Sequence, residues 1–289
     1  MDRPMEMPVD TPMHPVRAEL RAASAIARKE LQVFGRYRLN AVNQVIQPLY
    51  QTLIPGVLLG ATFAIGGEAV GLQESAGTTD IVGYLFLGML ALTLVSAGFW
   101  GVAFSIKMEL DAGTLEPAWL TPTRRETFVI GLTLSGLVIA TATTVILVLV
   151  GIWLFGADIA PRLTIAVPIL LVTGVGVLGI GYLVGAIVLR MREANFFVDA
   201  ADFIFICLSG AAFPVVVLPD VVEWVAYLLP TTHALDLMRV AALGTRPLLP
   251  LPVEWAMLGL TSVGLLVVGR WAWLRTEHRM RRLGTLGQH

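Results

Sequence analysis

The stretch IVGYLFLGMLALTLVSAGFWGVAFSI, residues 81–106, contains no charged side chain. An α-helix needs about 20 apolar residues to cross a hydrocarbon layer about 30 Å thick, so this run is long enough to cross once. It is apolar throughout rather than alternating, which favours helices over the strands of a barrel. Five further runs have the same character, at 42–65, 127–155, 163–189, 197–217 and 253–274. The predicted fold is an all-α polytopic membrane protein with six transmembrane helices, and residues 42–274 form its transmembrane domain.

Composition supports a membrane protein. Of the 289 residues 56% are hydrophobic and 14% are charged, and the mean hydropathy is +0.77. Soluble globular proteins are about 25% charged. The net charge of −1 gives no indication of nucleic-acid binding. The single cysteine, Cys207, excludes both an internal disulfide and a cysteine-based metal site.

The distribution of basic residues predicts the orientation. With the N-terminus in the cytoplasm, the cytoplasmic side holds all of the 20 lysines and arginines except Arg162, Arg239 and Arg246. Cytoplasmic loops are enriched in Lys and Arg. We therefore expect both termini in the cytoplasm, which requires an even number of spans and agrees with six.

Two segments precede the first predicted span. Residues 1–16 contain four prolines and no periodicity, and they predict a disordered tail without a secretory signal. Residues 17–38 have apolar and basic faces at helical spacing, typical of an amphipathic helix lying in the inner membrane interface. A helix packed on its own protein is the alternative. Residues 275–289 are predicted to form a basic cytoplasmic tail.

The segment FPVVVLPDVVEWVAYLLPTTHALDLMRVAALG, residues 213–244, is apolar but broken by prolines. Asp220 can cap a first short helix, and Thr231 or Thr232 can cap a second one through Ala241. Each helix is too short to cross, so we predict a re-entrant pair between the fifth and sixth spans. A single irregular seventh span is the alternative.

The chain lacks the residue patterns of an enzyme or a nucleotide site. Its only lysines, Lys29 and Lys107, follow Arg28 and Ile106, so no P-loop is present. The histidines have no metal-ligand spacing, and we expect His233 to be a helix-terminus or interface residue. We therefore predict no enzymatic activity, no metal site and no cofactor in this chain.

The loop between the second and third spans, MELDAGTLEPAWLTPTRRETF (residues 108–128), is unusually polar for a simple connector. It and the 213–244 segment together resemble the ABC-2 type exporter permeases. The loop is similar to the family pattern of an acidic residue, Gly-Thr-Leu-Glu, an apolar pair and Thr-Pro. The second segment matches Phe-Pro-Val, Leu-Pro and Leu-Pro-x-x-His-x-x-Asp-x-x-Arg, and it most resembles the branch of nodulation-factor and daunorubicin-type export permeases. Its matching residues are Phe213, Pro214, Leu218, Pro219, Pro230, His233, Asp236 and Arg239.

The resemblance implies a dimer of permeases, as a homodimer or a heterodimer, with separate ABC ATPase subunits that hold ATP and Mg. It also implies that the 108–128 loop docks on the ATPases, with Thr114 capping a short helix between a turn at Gly113 and a stop at Pro122. Pro117 departs from the family pattern and leaves the length of that helix open. The residues expected to couple the ATPase are Glu109, Gly113, Thr114, Leu115, Glu116, Trp119, Leu120, Thr121 and Pro122.

By this resemblance, the predicted function is export of an amphipathic substrate, a hydrophobic drug or a lipid-linked oligosaccharide, across a bacterial plasma membrane. Polar residues of the first and fifth spans are candidates for the substrate path, and their alternative role is contact with lipid headgroups: Asn43, Gln44, Gln47, Gln51, Asp199 and Asp202. A non-transporting scaffold and an ion-coupled transporter or membrane enzyme are the alternative functions.

Overall fold

The computed structural model describes residues 15–50, 54, 58, 70–114, 117, 120–121, 123–155, 163–191 and 194–283. These residues form helices and connecting turns, and no β-strand occurs among them. In chain order the helices are α1 Pro15–Arg36, α2 Arg38–Pro48, α3 Val70–Ala76, α4 Ile81–Asp111, α5 Arg125–Phe155, α6 Leu163–Arg190, α7 Ala194–Leu208, α8 Asp220–Ala226, α9 Pro230–Leu243 and α10 Leu251–Leu283. A single 3-10 turn, Val215–Val217, precedes α8.

Four of the described helices are long and apolar enough to cross a membrane. They are Ile81–Asp111, Arg125–Trp153, Thr164–Arg190 and Leu251–Met280. These helices correspond to four of the six predicted spans, and the all-helical prediction is confirmed for the described residues. The first predicted span, 42–65, begins in α2 and otherwise lies mostly outside them.

Helix α4 lies at the centre of the packed helices. Asp80 caps its start by accepting a hydrogen bond of 2.9 Å from the amide of Gly83. A π-helical turn, Ala97–Gly101, interrupts its second half. The buried side chains of Phe99, within this turn, and Val102, just after it, join a core that includes Ile180 of α6 and Trp273 of α10.

Helices α6 and α10 form the most extensive helix–helix contact, because glycines let their backbones approach. A Cβ atom built on Gly269 would lie 2.2 Å from the carbonyl oxygen of Gly179, where nothing larger than hydrogen fits. The Gly181/Gly185 pair also admits close neighbours. A Cβ on Gly181 would meet Thr133 of α5 at 2.6 Å, and one on Gly185 would meet Trp273 at 2.8 Å.

Helix α7 is shorter than the 197–217 run predicted from hydropathy. It ends at Leu208, so its 15 residues extend about 22 Å, less than the hydrocarbon thickness. The Ser209 hydroxyl donates to the carbonyl of Ile206 at 3.0 Å, and Gly210 adopts a left-handed φ of 75°. The apolar residues that follow belong to a turn that hydropathy alone cannot distinguish from helix.

Helix α1 packs along α5. Ala23 and Ala27 are buried, and Ile26 lies against Gly131 of α5, where a Cβ would be 2.7 Å away. Leu20 on the predicted apolar face is 65% exposed. The helix thus packs its small apolar residues against its own protein and leaves Leu20 accessible.

The termini of the long helices meet at two ends of the molecule. We call the end with Asp111, Arg125 and Glu277 the basic end, because most arginines lie there, and the other the opposite end. Ion pairs connect α5 to α10 at the basic end. At the opposite end the amide of Arg246 donates to the carbonyl of Ala76 at 3.0 Å. Helix α10 continues to Leu283, beyond the predicted sixth span of 253–274.

Candidate functional site

Residues 112–124, the part of the predicted 108–128 loop that lies between α4 and α5, are called the polar block and lie at the basic end. Helix α4 ends at Asp111, and Gly113, with a φ of 67°, turns the chain. The amide of Thr114 donates to the carbonyl of Glu109 at 3.0 Å, and its hydroxyl donates to the Glu109 carboxylate. Glu109 also pairs with Lys29 of α1. The C-terminal part of α4 is therefore continued by a tight turn held to one acidic side chain.

Part of the predicted docking segment can be placed. Leu120 is 83% exposed, and its amide donates to the carbonyl of Pro117 at 3.2 Å. Thr121 is also exposed. Leu115, Glu116, Trp119 and Pro122 lie outside the described residues, so the predicted Thr114-capped helix remains a prediction.

The block ends where α5 begins, and ion pairs surround that point. Arg125 pairs with the largely buried Glu277 of α10 at 3.3 Å. Glu126 pairs with Arg270 of α10 at 2.9 Å. Both side chains of the Arg125–Glu277 pair are mostly buried, and breaking a buried ion pair is costly. The start of α5 is thereby tied to the end of α10.

At the opposite end, Arg239 of α9 is almost fully buried and supplies hydrogen bonds to three carbonyl groups. Its guanidinium donates to Gly210 at 2.7 Å, to Ala211 at 2.9 Å and to Tyr84 at 3.1 Å. It also lies 3.3 Å from the centre of the Tyr84 ring. Burial lowers the pKa of Arg239 to about 10, which leaves it charged at neutral pH. One side chain thus joins α9, the end of α7 and the start of α4.

His233 of α9 forms a second buried polar group with Glu254 of α10. The two side chains are fully buried, and the His233 Nδ1 atom lies 2.7 Å from the Glu254 carboxylate. The other ring nitrogen lies 2.8 Å from the carbonyl oxygen of Tyr227. Burial acts to lower the pKa of His233, but these two hydrogen bonds outweigh it and raise the pKa. Both ring nitrogens face acceptors, so the geometry favours imidazolium.

Asp236 completes this group of charges. Its carboxylate accepts from the amide of Leu248 at 3.0 Å, and burial raises its pKa to about 6. A small cavity beside it is lined in part by Tyr84, Pro214 and Arg239. Of the other residues in the predicted motif, Pro219 precedes α8 and Pro230 is the first residue of α9, while Phe213 is partly exposed and Leu218 follows the 3-10 turn.

Comparison with known proteins identifies the family. The family model described as "ABC-2 type transporter" matches residues 21–243, which is most of the chain and includes both the polar block and the α8–α9 segment. This chain belongs to the ABC-2 type transporter family.

Two relatives of the ABC-2 chain are both described as "Probable multidrug ABC transporter permease YbhR", from Escherichia coli strain K12 and from Escherichia coli O157:H7. Each is 24% identical over 137 residues, which is 47% of this chain. The match spans only 37% of the length of either relative.

The predicted polar substrate-path residues of the ABC-2 chain are not brought into one group. Asn43 donates to Gln47 at 3.3 Å on α2, and Gln44 beside them is exposed. Asp202 of α7 instead accepts hydrogen bonds from Trp100 at 3.0 Å and from Ser96 at 3.2 Å, at the π-helical turn of α4. Asp199, one turn earlier, is exposed. Gln51 lies outside the described residues.

Several residues that pair with polar side chains of the two ends of the ABC-2 chain were not predicted from its sequence. Glu254 is an acidic residue in the first turn of an apolar helix, and that position is the signal that could have identified it. Tyr84, Lys29 and Glu277 carry no such signal, because their partners lie far away in sequence. Among the described residues, no group of three or more His, Cys, Asp or Glu side chains is placed to hold a metal ion.

Proposed function

We propose that this chain is the transmembrane permease subunit of an ATP-driven exporter, and that ATP and Mg are bound by separate ABC ATPase subunits. Permeases of the ABC-2 family are generally paired with such ATPases. The observation that carries the proposal is the polar block between α4 and α5, whose two described ends are held by ion pairs at the basic end. The chain has no P-loop. We expect no catalytic activity of its own.

The polar block is the proposed site at which the ATPase acts. Gly113 and Thr114 begin the segment, and Leu120 presents an accessible apolar side chain. A contact that transmits movement must be anchored, because a loop free at both ends absorbs displacement instead of passing it on. The ion pairs at the ends of this block meet that requirement. Leu115, Glu116 and Trp119 are proposed to complete the contact.

The α8–α9 segment is proposed to be a re-entrant pair in the outer leaflet, as in the branch of nodulation-factor and daunorubicin-type permeases. Irregular backbone at membrane depth requires partners for its polar groups. Arg239 supplies them for the turn that follows α7. With α7 and the apolar turn that follows it as the fifth crossing and the 42–65 run as the first, the proposed total is six spans.

An amphipathic substrate, a hydrophobic drug or a lipid-linked oligosaccharide, is proposed to pass between two permease copies. Large apolar side chains are exposed on both α7 and α8, including Phe203, Val221 and Trp224. Asp199 is exposed on the same helix, and a carboxylate facing lipid is costly. A second copy or a water-filled path therefore fits this surface better than lipid alone. The word "multidrug" in the name of the Escherichia coli relatives agrees with such a substrate.

The proposed location is a bacterial plasma membrane, with both termini in the cytoplasm. This orientation places the basic end, and with it the polar block, where ATP is available. It follows the rule that cytoplasmic loops are rich in Lys and Arg.

The test combines purification with two substitutions in the polar block. We expect tagged wild-type chain to copurify with a P-loop ATPase, identified by mass spectrometry, and to export daunorubicin from cells. Leu115→Asp and Glu116→Arg should each lower this export at least about tenfold, because each alters the proposed contact with the ATPase. A tenfold change corresponds to about 1.4 kcal/mol. Membrane insertion should be unaffected. The matched control is Glu74→Arg, an exposed position on α3 at the opposite end.

Three outcomes would contradict the proposal. Absence of any ATPase favours the scaffold function. Export that persists without ATP and stops with a proton ionophore favours an ion-coupled transporter. Unchanged export in both block variants removes the docking role of the polar block.

A further inference from the structure

Helix α1 contacts the first end of the polar block through two side chains. Lys29 pairs with Glu109 in the last turn of α4. Glu30 accepts a hydrogen bond of 3.0 Å from Ser105, one turn earlier on the same helix. The Glu109 carboxylate also accepts a hydrogen bond from the hydroxyl of Thr114. Lys29 therefore reaches, through Glu109, the turn that begins the block.

The same helix contacts the second end of the block. The Glu19 carboxylate accepts a hydrogen bond of 3.3 Å from the backbone amide of Arg124 and another from the hydroxyl of Thr127. Glu19 and Lys29 are ten residues apart, about 15 Å along a helix. One helix thus contacts the chain at both ends of the block.

The packing beneath this bridge is close. Ala23 and Ala27, which lie between Glu19 and Lys29, are buried. Ile26 contacts Gly131 so closely that any larger residue at 131 would displace it. The position of α1 along α5 is therefore determined by shape, and a shift of α1 would have to move α5 as well.

Stability alone does not account for the Lys29–Glu109 pair. The Lys29 side chain is 53% exposed, and pairs this exposed contribute little to folding free energy. The contacts of Lys29 and Glu19 are nevertheless specific in their positions, because each joins α1 to one end of the block. The arrangement is better suited to setting a position than to adding stability.

We propose that Lys29 and Glu19 are positioning residues, through which α1 holds the two ends of the polar block in register for movement delivered by the ATPase. The inference rests on the proposed function of the block. A displacement of either end is then shared by α1, α4 and α5. Loss of either contact removes α1 from that sharing and leaves the corresponding end of the block less well positioned.

The test is a charge reversal and its rescue in the full chain, purified with its ATPase and reconstituted into liposomes. Lys29→Glu and Glu109→Lys should each lower daunorubicin transport per ATP hydrolysed at least about fivefold. For Lys29→Glu, the melting temperature and the amount of bound ATPase should stay at wild-type values. The double variant restores the opposite charges in exchanged positions and should recover at least about half of the lost coupling. A change in transport per ATP at constant stability is not expected from a merely structural role.

The matched control is Arg28→Glu, because Arg28 is the exposed neighbour of Lys29 and the change in charge is identical. It should leave transport per ATP unchanged. If Arg28→Glu is as harmful as Lys29→Glu, the effect comes from weaker attachment of a basic helix to the membrane, and the inference is wrong. Failure of the double variant to recover also overturns it.

A second measurement does not require the ATPase. In the purified chain, Lys29→Glu should increase hydrogen exchange of the amides at 109–114, and Glu19→Ala should increase it at 124–127. Unchanged exchange in both variants overturns the inference even if the ATPase binds. If wild-type chain binds no ATPase but exchange responds as expected, the proposed function fails while the positioning contacts stand.

Discussion

Arg239 and His233 determine the structure of the opposite end through single side chains. Arg239 satisfies carbonyl groups that the end of α7 leaves without helical partners, and such groups are costly when buried alone. His233 pairs with Glu254, a residue of another helix. The sequence shows that these residues are polar within an apolar segment, but it does not show which groups they meet.

His233 predicts a pH dependence of stability. It lies outside the four candidate spans, and its pKa is raised in the folded protein. A raised pKa gives stability that is fully present below the unfolded value of about 6.5 and is lost as the pH rises through the folded value. We expect the melting temperature in detergent to fall as the pH rises above about 6.5, and His233→Gln should remove most of that fall.

The control is His278→Gln, an exposed histidine on α10 that should leave the pH profile unchanged. Asp236 does not interfere with this measurement. Its pKa is about 6 in the folded protein and about 3.9 in the unfolded chain, so its contribution to folding stability changes mainly between these two pH values, below the range where His233 acts. A profile that is equally steep in wild type and in His233→Gln would show that the buried pair does not titrate in this range.

At the scale of elements, glycines decide which helices can touch. The α6–α10 contact depends on Gly179 and Gly269, where the two backbones meet without side chains between them. The 81–106 run predicts a helix from its composition, but its π-helical turn at Ala97–Gly101 brings Trp100 to Asp202 of α7. That turn has no counterpart in the hydropathy pattern. Helix existence is thus a local property, and helix pairing is not.

Gly269→Ala tests the α6–α10 contact. The added methyl group would overlap the carbonyl of Gly179, and overpacking of this kind costs about 1–3 kcal/mol. Gly264→Ala is the matched control on the same helix, because a Cβ there meets nothing within 4 Å. Alanine is a better helix former than glycine, so the control should be neutral or stabilising by up to about 1 kcal/mol. Equal melting temperatures of the two variants would exclude a close backbone contact.

At the scale of the whole molecule, the two ends differ in charge and in the kind of polar contact. The basic end joins α1, α4, α5 and α10 through ion pairs that are partly exposed. The opposite end joins α4, α7, α9 and α10 through buried polar groups. We infer that the basic end faces the cytoplasm.

Cysteine labelling tests this orientation. In a chain whose natural cysteine is removed by Cys207→Ser, Glu74→Cys should react with a membrane-impermeant maleimide in intact cells. Thr114→Cys should react only after permeabilisation, since both positions are exposed but lie at different ends. The Cys207→Ser chain itself should not react. Labelling of Thr114→Cys in intact cells would reverse the topology.

Prediction from the sequence succeeded where the signal is local. Four apolar runs form the long helices, although α4 and α10 extend beyond the predicted runs, and prolines mark the breaks before α8 and at α9. It was less accurate for α7, because the residues after Leu208 are as apolar as the helix itself. Asp220 is the first residue of α8 and does not cap it. The residues of the predicted polar path gave no indication that Asp202 bonds to α4.

The sequence by itself determined that this chain is a helical membrane protein, because apolar length depends only on residue order, and two of its motifs gave the resemblance to the ABC-2 type. It also located the polar block and the broken α8–α9 segment. Only the tertiary structure decided which side chains hold them, pairing Lys29 with Glu109 and His233 with Glu254. The physical reason is that hydropathy accumulates along the chain, whereas a hydrogen bond or an ion pair depends on distance in space.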